Sequence, residues 1–247
     1  MGRIIFEGVW SSLFSQPPTC EFCTAFVRRP SPFAPVRERI CSTCLAGVEL
    51  ISGPFCPVCG RKQEAGADHL CPDCLRLAEE ERIVNRSPVV YSGKAKEWVS
   101  LFKYRGKESL ATPMGRWMAE VVQSHFAHTG ISVITFVPLH KEKKAERGFN
   151  QSELLARVIG ARLGLPVLPL LGREKDLASQ SRRNRQERLL ALKGAFQIEG
   201  EGCEKCIRDR TVLIVDDVYT TGTTLRECAK PLLVSGASRV YSVTFAR

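Results

Sequence analysis

The sequence has little that would direct the chain into or across a membrane. No apolar run approaches the roughly 20 residues that a membrane-spanning helix needs, and the first residues do not form a charged-then-apolar leader with a small-residue cleavage site. Phe6 stands where a myristoylation signal has Ser or Thr. We therefore expect a soluble, cytoplasmic protein without a transmembrane segment.

Positive charge is scarce in the first third of the chain and abundant in the rest. Residues 1–80 carry 8 Lys and Arg against 9 Asp and Glu, whereas residues 81–247 carry 28 against 17. A basic domain attracts a phosphorylated small molecule, a nucleic acid or an anionic membrane surface. Charge alone does not choose among these partners, so the motifs must decide.

Cysteine is plentiful, and eight of the 11 cysteines form four C-x2-C pairs near the amino terminus. One such turn presents two thiolates at a separation that suits a tetrahedral zinc ion, so two turns complete a site. Sequential pairing of the turns predicts two four-cysteine sites, Cys20, Cys23, Cys41 and Cys44, then Cys56, Cys59, Cys71 and Cys74. We expect a double zinc ribbon over residues 1–80.

Other interpretations of the cysteines are disulfides, free buried thiols or an interleaved pairing of the four turns. Zinc is favoured because a segment this small can bury only a small hydrophobic core and needs bound metal ions or other cross-links for stability. Four thiolates leave no open coordination position, so each site is expected to be structural. His69 is expected to be a solvated loop histidine, and Cys203 and Cys206 are expected to be surface thiols; the role of Cys228 is left open.

Segments of strand and helix character alternate after residue 80. This order is typical of an α/β protein, in which helices cover both faces of a parallel sheet. Strands are expected within IVNRSPVVYSG, ISVITFVPL, PVLPLLG, TVLIVDDVY and RVYSVTFAR. Helices are expected within GKAKEWVSLFKYRG, residues 112–125, NQSELLARVIGARLG and TTLRECAKPLLVSG. We predict that this α/β domain spans residues 81–247.

The segment VLIVDDVYTTGTTL, residues 212–225, has the clearest chemical pattern. Asp216 and Asp217 follow a buried strand, at the edge where open α/β sheets bind ligands. Their carboxylates can accept hydrogen bonds from sugar hydroxyls, directly or through Mg²⁺. Beyond them, a tight turn at Gly222 and four threonines can surround a phosphate at the start of a helix. The threonines are Thr220, Thr221, Thr223 and Thr224.

Two other interpretations of this segment are less favoured. The aspartates could cap the following helix and the threonines could be ordinary turn residues. A nucleotide-hydrolysing motor is also conceivable for a phosphate loop beside a strand, but the sequence contains no G-x-x-x-x-G-K-[ST] segment. The paired acids and the hydroxyl-rich turn therefore favour a site for a phosphorylated sugar.

The segment resembles the phosphoribosyl pyrophosphate-binding motif of type I phosphoribosyltransferases. Together with the cysteine pairs, YSGKAKEWVSLFKYRGK and VPLHKEKKAERGFNQSELLA, it makes nearly the whole chain similar to the ComF family of competence-associated proteins. The resemblance implies a type I phosphoribosyltransferase-like fold that binds phosphoribosyl pyrophosphate or ribose 5-phosphate with Mg²⁺. It also implies a role in DNA uptake during natural transformation, with single-stranded DNA and competence proteins as partners.

The resemblance assigns further residues to the site. In that family the loop after the VPL strand contacts pyrophosphate, which carries over to the basic residues Lys141, Lys143, Lys144 and Arg147 and to residues 148–151. Basic side chains suit the concentrated charge of pyrophosphate, and a solvated charge run is the less favoured alternative. Residues 173–196 occupy the place of a mobile loop that closes over the substrate, with Ala191 where ComF-like sequences commonly have asparagine.

Two classes of function follow. A working transferase in nucleotide or cofactor salvage would pass the ribose to a nitrogen nucleophile that the sequence does not identify. A binding protein would use the same pocket while it handles single-stranded DNA, with Trp98, Phe102 and Tyr104 stacking bases beside Lys103 and Arg105. Trp98 and Phe102 also have the i and i+4 spacing of a buried helix face, and this second interpretation is preferred.

The cysteine pattern makes a direct prediction about metal content. Elemental analysis of the purified protein should find about two zinc ions per chain, because each quartet of thiolates completes one tetrahedral site. A metal-free protein would contradict the zinc-ribbon assignment.

Overall fold

A computed structural model of the chain describes residues 18–31, 33–66, 69–173, 194–200 and 203–247. For Lys141 and Cys203 it describes the backbone only. The chain forms two compact units, residues 1–46 and 47–247, so the two cysteine quartets lie in different units. The division at residue 80 into a double ribbon and a transferase-like domain stays a prediction.

The smaller unit is built around the first cysteine quartet. A bridge between Thr19 and Phe26 closes the first turn. The 3₁₀ helix Val36–Arg39 leads to the second turn, and the short helix α1, Ser42–Ala46, carries its second cysteine. Few apolar side chains other than cysteines are buried among the described residues of this unit. Metal ligation by the four cysteines would therefore add to the stability of this part of the chain.

The larger unit begins with the second ribbon and continues as alternating strands and helices. A bridge between Phe55 and Lys62 closes the first ribbon turn, and helix α2, Pro72–Leu75, carries the second. The remaining elements, in chain order, are β1 Val84–Arg86, α3 Gly93–Tyr104, α4 Ala111–Phe126, β2 Ile131–Phe136, α5 Lys141–Arg147, α6 Gln151–Leu163, β3 Leu171–Arg173, β4 Phe196–Ile198, α7 Cys203–Ile207, β5 Thr211–Val218, α8 Thr223–Val234 and β6 Arg239–Ala246. None of the helices in the described ranges is long and apolar enough to cross a membrane.

Four strands form a parallel sheet in the order β1, β6, β5, β2. The register sets Asp216 of β5 beside Thr244 of β6. Because all four strands run the same way, their carboxyl ends meet at one edge, where ligands of such sheets bind. The α/β architecture with a parallel sheet that the sequence predicts is confirmed.

One face of the sheet packs on α8 and on the second ribbon. Val212 and Ile214 of β5 lie in a buried cluster with Leu225 and Leu232 of α8. All four cysteines of the second quartet belong to the same cluster. The second ribbon is therefore part of the core of the larger unit.

The opposite face packs on α3 and α4. The ring of Phe245 on β6 lies 6.4 Å from that of Trp98 and 6.3 Å from that of Trp117, measured between ring centroids. Trp98 is 2% exposed and Phe102 is fully buried. Neither ring can stack on a nucleic-acid base, so these two residues form part of the core, as their helical spacing indicates.

The basic segment after β2 differs from the expectation of a loop. Residues 141–147 form helix α5, because every residue of KEKKAER is a good helix former. The His140 side chain accepts a hydrogen bond from the N–H of Glu142 (3.4 Å), and Gly148 ends the helix with a left-handed φ of 80°. The basic side chains are therefore arranged around a helix.

The segment PVLPLLG forms less strand than expected. Val167 makes one parallel bridge with Ile134, and only Leu171–Arg173 becomes a strand, β3, which pairs antiparallel with β4 outside the main sheet. Pro166 and Pro169 have no backbone N–H to donate, so a longer ladder cannot form here.

Candidate functional site

Eight cysteine sulfurs converge in two groups of four. Within each group the sulfurs lie within 4.8 Å of one another; four sulfurs bound to one zinc ion at about 2.3 Å would be about 3.8 Å apart. The groups are Cys20, Cys23, Cys41 and Cys44, and Cys56, Cys59, Cys71 and Cys74. The donor set of each group fits one zinc ion in a closed, structural site.

Backbone amides support the thiolates of both groups. The N–H of Cys44 points at the sulfur of Cys41, and the N–H of Cys71 at the sulfur of Cys56, each at 3.4 Å. Such amides stabilise the negative charge of a metal-bound thiolate. Among the described residues neither His69, which is exposed, nor Cys206, also exposed, belongs to a metal-ligating group, and the Cys203 side chain lies outside the description.

The paired aspartates lie at the carboxyl end of β5. The Oδ1 atom of Asp216 accepts hydrogen bonds from the Ser152 hydroxyl (2.8 Å) and from the N–H of Asp217 (2.9 Å). Asp217 is 6% exposed. Neither carboxylate caps the helix that follows, because α8 has no side-chain cap.

The start of α6 is tied to the same edge of the sheet. The Asn150 side chain caps α6 by accepting from the N–H groups of Ser152 (3.0 Å) and Glu153 (3.4 Å). Its amide group donates to the carbonyl of Val137 at 3.0 Å. This double attachment fixes the Ser152 hydroxyl that contacts Asp216.

Lys103 of α3 neutralises part of the acidic charge. Its Nζ lies 2.7 Å from Oδ1 of Asp217. Burial opposes a charge on this amine, but attraction to Asp217 and Asp216 outweighs burial and raises the pKa of Lys103. An ammonium group is therefore fixed beside the acids.

Asp216 lies in an unfavourable position for a negative charge. Burial of its carboxyl and, second, repulsion from Asp217 raise the pKa of Asp216 to about 7. Lys103 and the hydrogen bond from Ser152 oppose this rise without cancelling it. An acid with such a pKa changes charge near neutral pH. A cationic or hydrogen-bonding ligand can therefore change its protonation state.

The turn between β5 and α8 is held open by glycine. Gly222 has a left-handed φ of 72°, and a Cβ at this position would overlap the Tyr219 hydroxyl. The first N–H groups of α8 have no acceptor within the helix and carry the positive end of its dipole. This is the local geometry that binds an anion.

Two cavities border the turn at residues 220–224, and Thr220 lines both of them. One, of about 330 Å³, is lined by Asp216, Asp217, Thr220 and Thr224. The other, of about 360 Å³, is lined by Thr220, Thr221 and Thr223 and by residues of the second ribbon. Of the four threonines predicted to surround one phosphate, the structure brings Thr220 and Thr224 to the cavity of the aspartates. The hydroxyls of Thr221 and Thr223 instead contact each other at 3.0 Å.

Helix α5 brings basic groups to the cavity of the aspartates. Lys143 and Arg147 line it, whereas Lys144 is not among the described lining residues and the side chain of Lys141 lies outside the description. The Arg147 guanidinium lies 5.0 Å from the centroid of the Tyr104 ring and donates to the Gln151 side chain at 3.2 Å.

Several lining residues were not singled out from the sequence. They are Tyr91, Lys103 in its role as a partner of Asp217, Ser152 and Arg173. None of them belongs to β5, so their approach to the aspartates depends on tertiary packing. Most of the predicted closing loop, residues 174–193 with Ala191, lies outside the described residues.

Two family models match the chain, and they agree with this arrangement. The double zinc ribbon domain matches residues 11–75, and the phosphoribosyl transferase domain matches residues 175–247. With the parallel sheet, the two cysteine quartets and the acidic strand end, these matches define a double zinc ribbon joined to a type I phosphoribosyltransferase-like domain. The double zinc ribbon expected from the sequence is confirmed.

Curated relatives give the family. The chain is 32% identical over 216 residues to competence protein ComFC of Bacillus subtilis (strain 168), covering 85% of each chain. It is 30% identical over 235 residues to the DNA utilization protein YhgH of Salmonella typhi, covering 92% of this chain and 96% of the relative. The chain belongs to the ComF family.

Among solved structures, the chain is similar to the glutamine phosphoribosylpyrophosphate amidotransferase from B. subtilis complexed with ADP and GMP. The TM-score is 0.39 at 16% sequence identity. The match covers 58% of this chain and 30% of that chain, so this chain spans less than a third of that structure.

The raised pKa of Asp216 predicts a pH-dependent stability. In the unfolded chain this acid ionises near its ordinary pKa of 3.8, but in the folded protein only near 7. The folded state therefore loses stability as the pH rises between these values. Asp216→Asn removes this loss, so the variant should melt several degrees above the wild type at pH 8, and the gap should shrink towards pH 4. Thermal melts across this pH range test it, and a gap independent of pH would contradict it.

Proposed function

We propose that this protein binds phosphoribosyl pyrophosphate, or a similar phosphorylated ribose, and that it acts in DNA uptake during natural transformation. The observation that carries the first part is the cavity of about 330 Å³ in which two carboxylates, threonine hydroxyls and basic side chains meet. A cavity of this size is at the lower end of the range that small-molecule sites occupy. A phosphorylated ribose offers hydroxyls to the carboxylates and phosphate oxygens to the threonines and basic side chains.

Each part of such a ligand has a chemically suitable partner. Asp216 and Asp217 accept hydrogen bonds from the ribose hydroxyls. The turn at residues 220–224 offers backbone N–H groups and the start of α8 to the 5-phosphate. Lys143 and Arg147 line the same cavity and suit the pyrophosphate. Lys141 is proposed to join them.

An unsatisfied buried donor supports an anion on the α5 side of the cavity. Gln151 is 1% exposed, lines the cavity, and its Nε2 has no hydrogen-bond partner in the described part of the chain. A buried donor without a partner costs free energy. A phosphate oxygen of a bound ligand would satisfy this amide.

Magnesium is proposed to accompany the ligand. The carboxylates of Asp216 and Asp217 are hard oxygen donors of the kind that Mg²⁺ prefers, and phosphate oxygens would complete its shell. When bound, the ion would neutralise part of the pyrophosphate charge. The residues of the chain hold and orient the ribose beside it.

The biological role is proposed from the relatives. The similar B. subtilis protein is named for competence and the similar S. typhi protein for DNA utilization. A protein with thiolate zinc sites suits a reducing compartment, so we place this role in the cytoplasm. Competence proteins and single-stranded DNA are the proposed partners.

A second candidate is catalysis of pentosyl transfer in salvage metabolism. Tyr91 and Tyr104 keep 37% and 69% of their surface exposed while they line the cavity, so its rim could hold an aromatic acceptor. In that reaction a nitrogen of the acceptor forms a bond to the anomeric carbon as the bond to pyrophosphate breaks. The aspartates and basic groups would position the ribose and stabilise the leaving charge.

The ligand assignment is tested by removing both acids. Asp216→Asn with Asp217→Asn should weaken binding of phosphoribosyl pyrophosphate with Mg²⁺ at least about 100-fold, because hydrogen bonds to charged groups contribute about 1.5–3 kcal/mol each. Isothermal titration calorimetry measures it. The matched control, Glu79→Gln with Glu80→Gln, changes two adjacent exposed acids and should bind as the wild type does. Equal binding by the double aspartate variant would contradict the assignment.

The DNA role predicts a salt-dependent interaction. Affinity for single-stranded DNA should fall linearly with salt on a log–log scale, because Lys and Arg release counterions from the phosphates. Tyr104→Ala should weaken binding by about 1–3 kcal/mol if the exposed ring stacks on a base. Fluorescence anisotropy with a labelled oligonucleotide measures both. A salvage enzyme without a DNA role would show little binding at any salt concentration.

A further inference from the structure

The second zinc ribbon and the turn at residues 220–224 are joined by one side chain. Arg247 follows β6, and its Nη2 donates to the sulfur of Cys59 at 3.1 Å while its Nε donates to the carbonyl of the same residue at 3.2 Å. Its Nη1 donates to the carbonyl of Thr220 at 3.4 Å. The planar guanidinium thus contacts a zinc ligand and the turn at once.

The same guanidinium also contacts the side chain of Tyr219, the residue just before the turn. It lies 4.6 Å from the centroid of the Tyr219 ring, which is 5% exposed. The Tyr219 hydroxyl fills the space beside the Cα of Gly222. Arg247 therefore contacts both the Tyr219 ring, which packs against Gly222, and the carbonyl of Thr220.

The backbone of Arg247 leaves this side chain little freedom. Its N–H donates to the carbonyl of Val89 at 3.0 Å, and its carbonyl accepts from the N–H of Tyr91 at 2.8 Å. Cys59 is 1% exposed and lies in the cluster that contains Leu225 of α8. The contacts from Cys59 through the Arg247 guanidinium to Thr220 form what we call the arginine bridge. The Arg247 backbone and Cys59 are both anchored in the core of the larger unit.

We propose that Arg247 is a positioning residue through which the second zinc site fixes the phosphate-binding turn. This inference rests on the proposed binding of a phosphorylated ribose, and it makes that binding depend on the zinc ion at Cys56, Cys59, Cys71 and Cys74. Arg247 is not among the described residues that line the cavity of the aspartates, so it would act on a ligand there through the turn. Cys59 would be held in place by its bond to zinc and would in turn order the guanidinium, which contacts Tyr219 and Thr220.

The test compares Arg247→Gln with two other variants. Arg247→Lys keeps the charge but loses the fork that contacts both partners, and Arg239→Gln changes an exposed arginine at the opposite end of β6. For ribose 5-phosphate in calorimetry we expect affinity about tenfold weaker for Arg247→Gln, an intermediate loss for Arg247→Lys and no change for Arg239→Gln. Zinc content should stay at the wild-type value in all three, because the four thiolates complete the site without arginine.

Hydrogen exchange gives a measurement that does not depend on the ligand. In the absence of ligand, amides of residues 219–224 should exchange faster in Arg247→Gln than in the wild type, while amides of β5 within the sheet stay protected. Partial zinc removal by a chelator should have the same effect in the wild type and little further effect in Arg247→Gln.

The outcomes separate this inference from the proposed function. If the wild type fails to bind ribose 5-phosphate but Arg247→Gln still loosens the turn, the proposed ligand is wrong and the bridge stands. If Arg247→Gln keeps wild-type affinity and wild-type exchange at residues 219–224, the bridge is overturned. Global loss of protection in Arg247→Gln would also overturn it, because the residue would then support the whole unit.

Discussion

The site depends on the burial of two neighbouring carboxylates, which also repel each other, at the end of a strand in the core. A strand whose register is fixed on both sides cannot move these groups apart, so the surrounding elements compensate them. Lys103 comes from α3 and Ser152 from α6, and each contacts one acid. The elements that surround β5 are therefore arranged to stabilise a charge that the chain itself places there.

The two zinc sites serve different structures. The first quartet lies in a small unit whose described residues include few other buried apolar groups. The second is enclosed in the core of the larger unit, where its sulfurs lie among apolar side chains of α8 and the sheet. A closed four-thiolate site is inert in both settings. We therefore assign both sites a structural role, in which the metal keeps the surrounding backbone and side chains in place.

Sequence patterns predicted the elements that local chemistry determines. The strand of Asp216 and the turn at Gly222 have short-range signals, namely a run of β-branched residues, paired acids and a glycine where φ is positive. The C-x2-C spacing of the cysteines likewise predicts the two metal sites. Lys103 and Arg247 have no such signal, since each reaches the site from an element distant in sequence. The helix of residues 141–147 was missed because its basic residues were interpreted through their charge and not through their helix propensity.

The helical form of that basic segment limits how it can hold an anion. Residues four apart share one side of a helix, and Lys143 and Arg147 are the pair that line the cavity. The intervening Lys144 is turned about 100° away by the helical twist. A flexible loop could wrap all of its cations around one ligand, whereas this helix holds Lys143 and Arg147 on one side at a spacing that the helix geometry fixes.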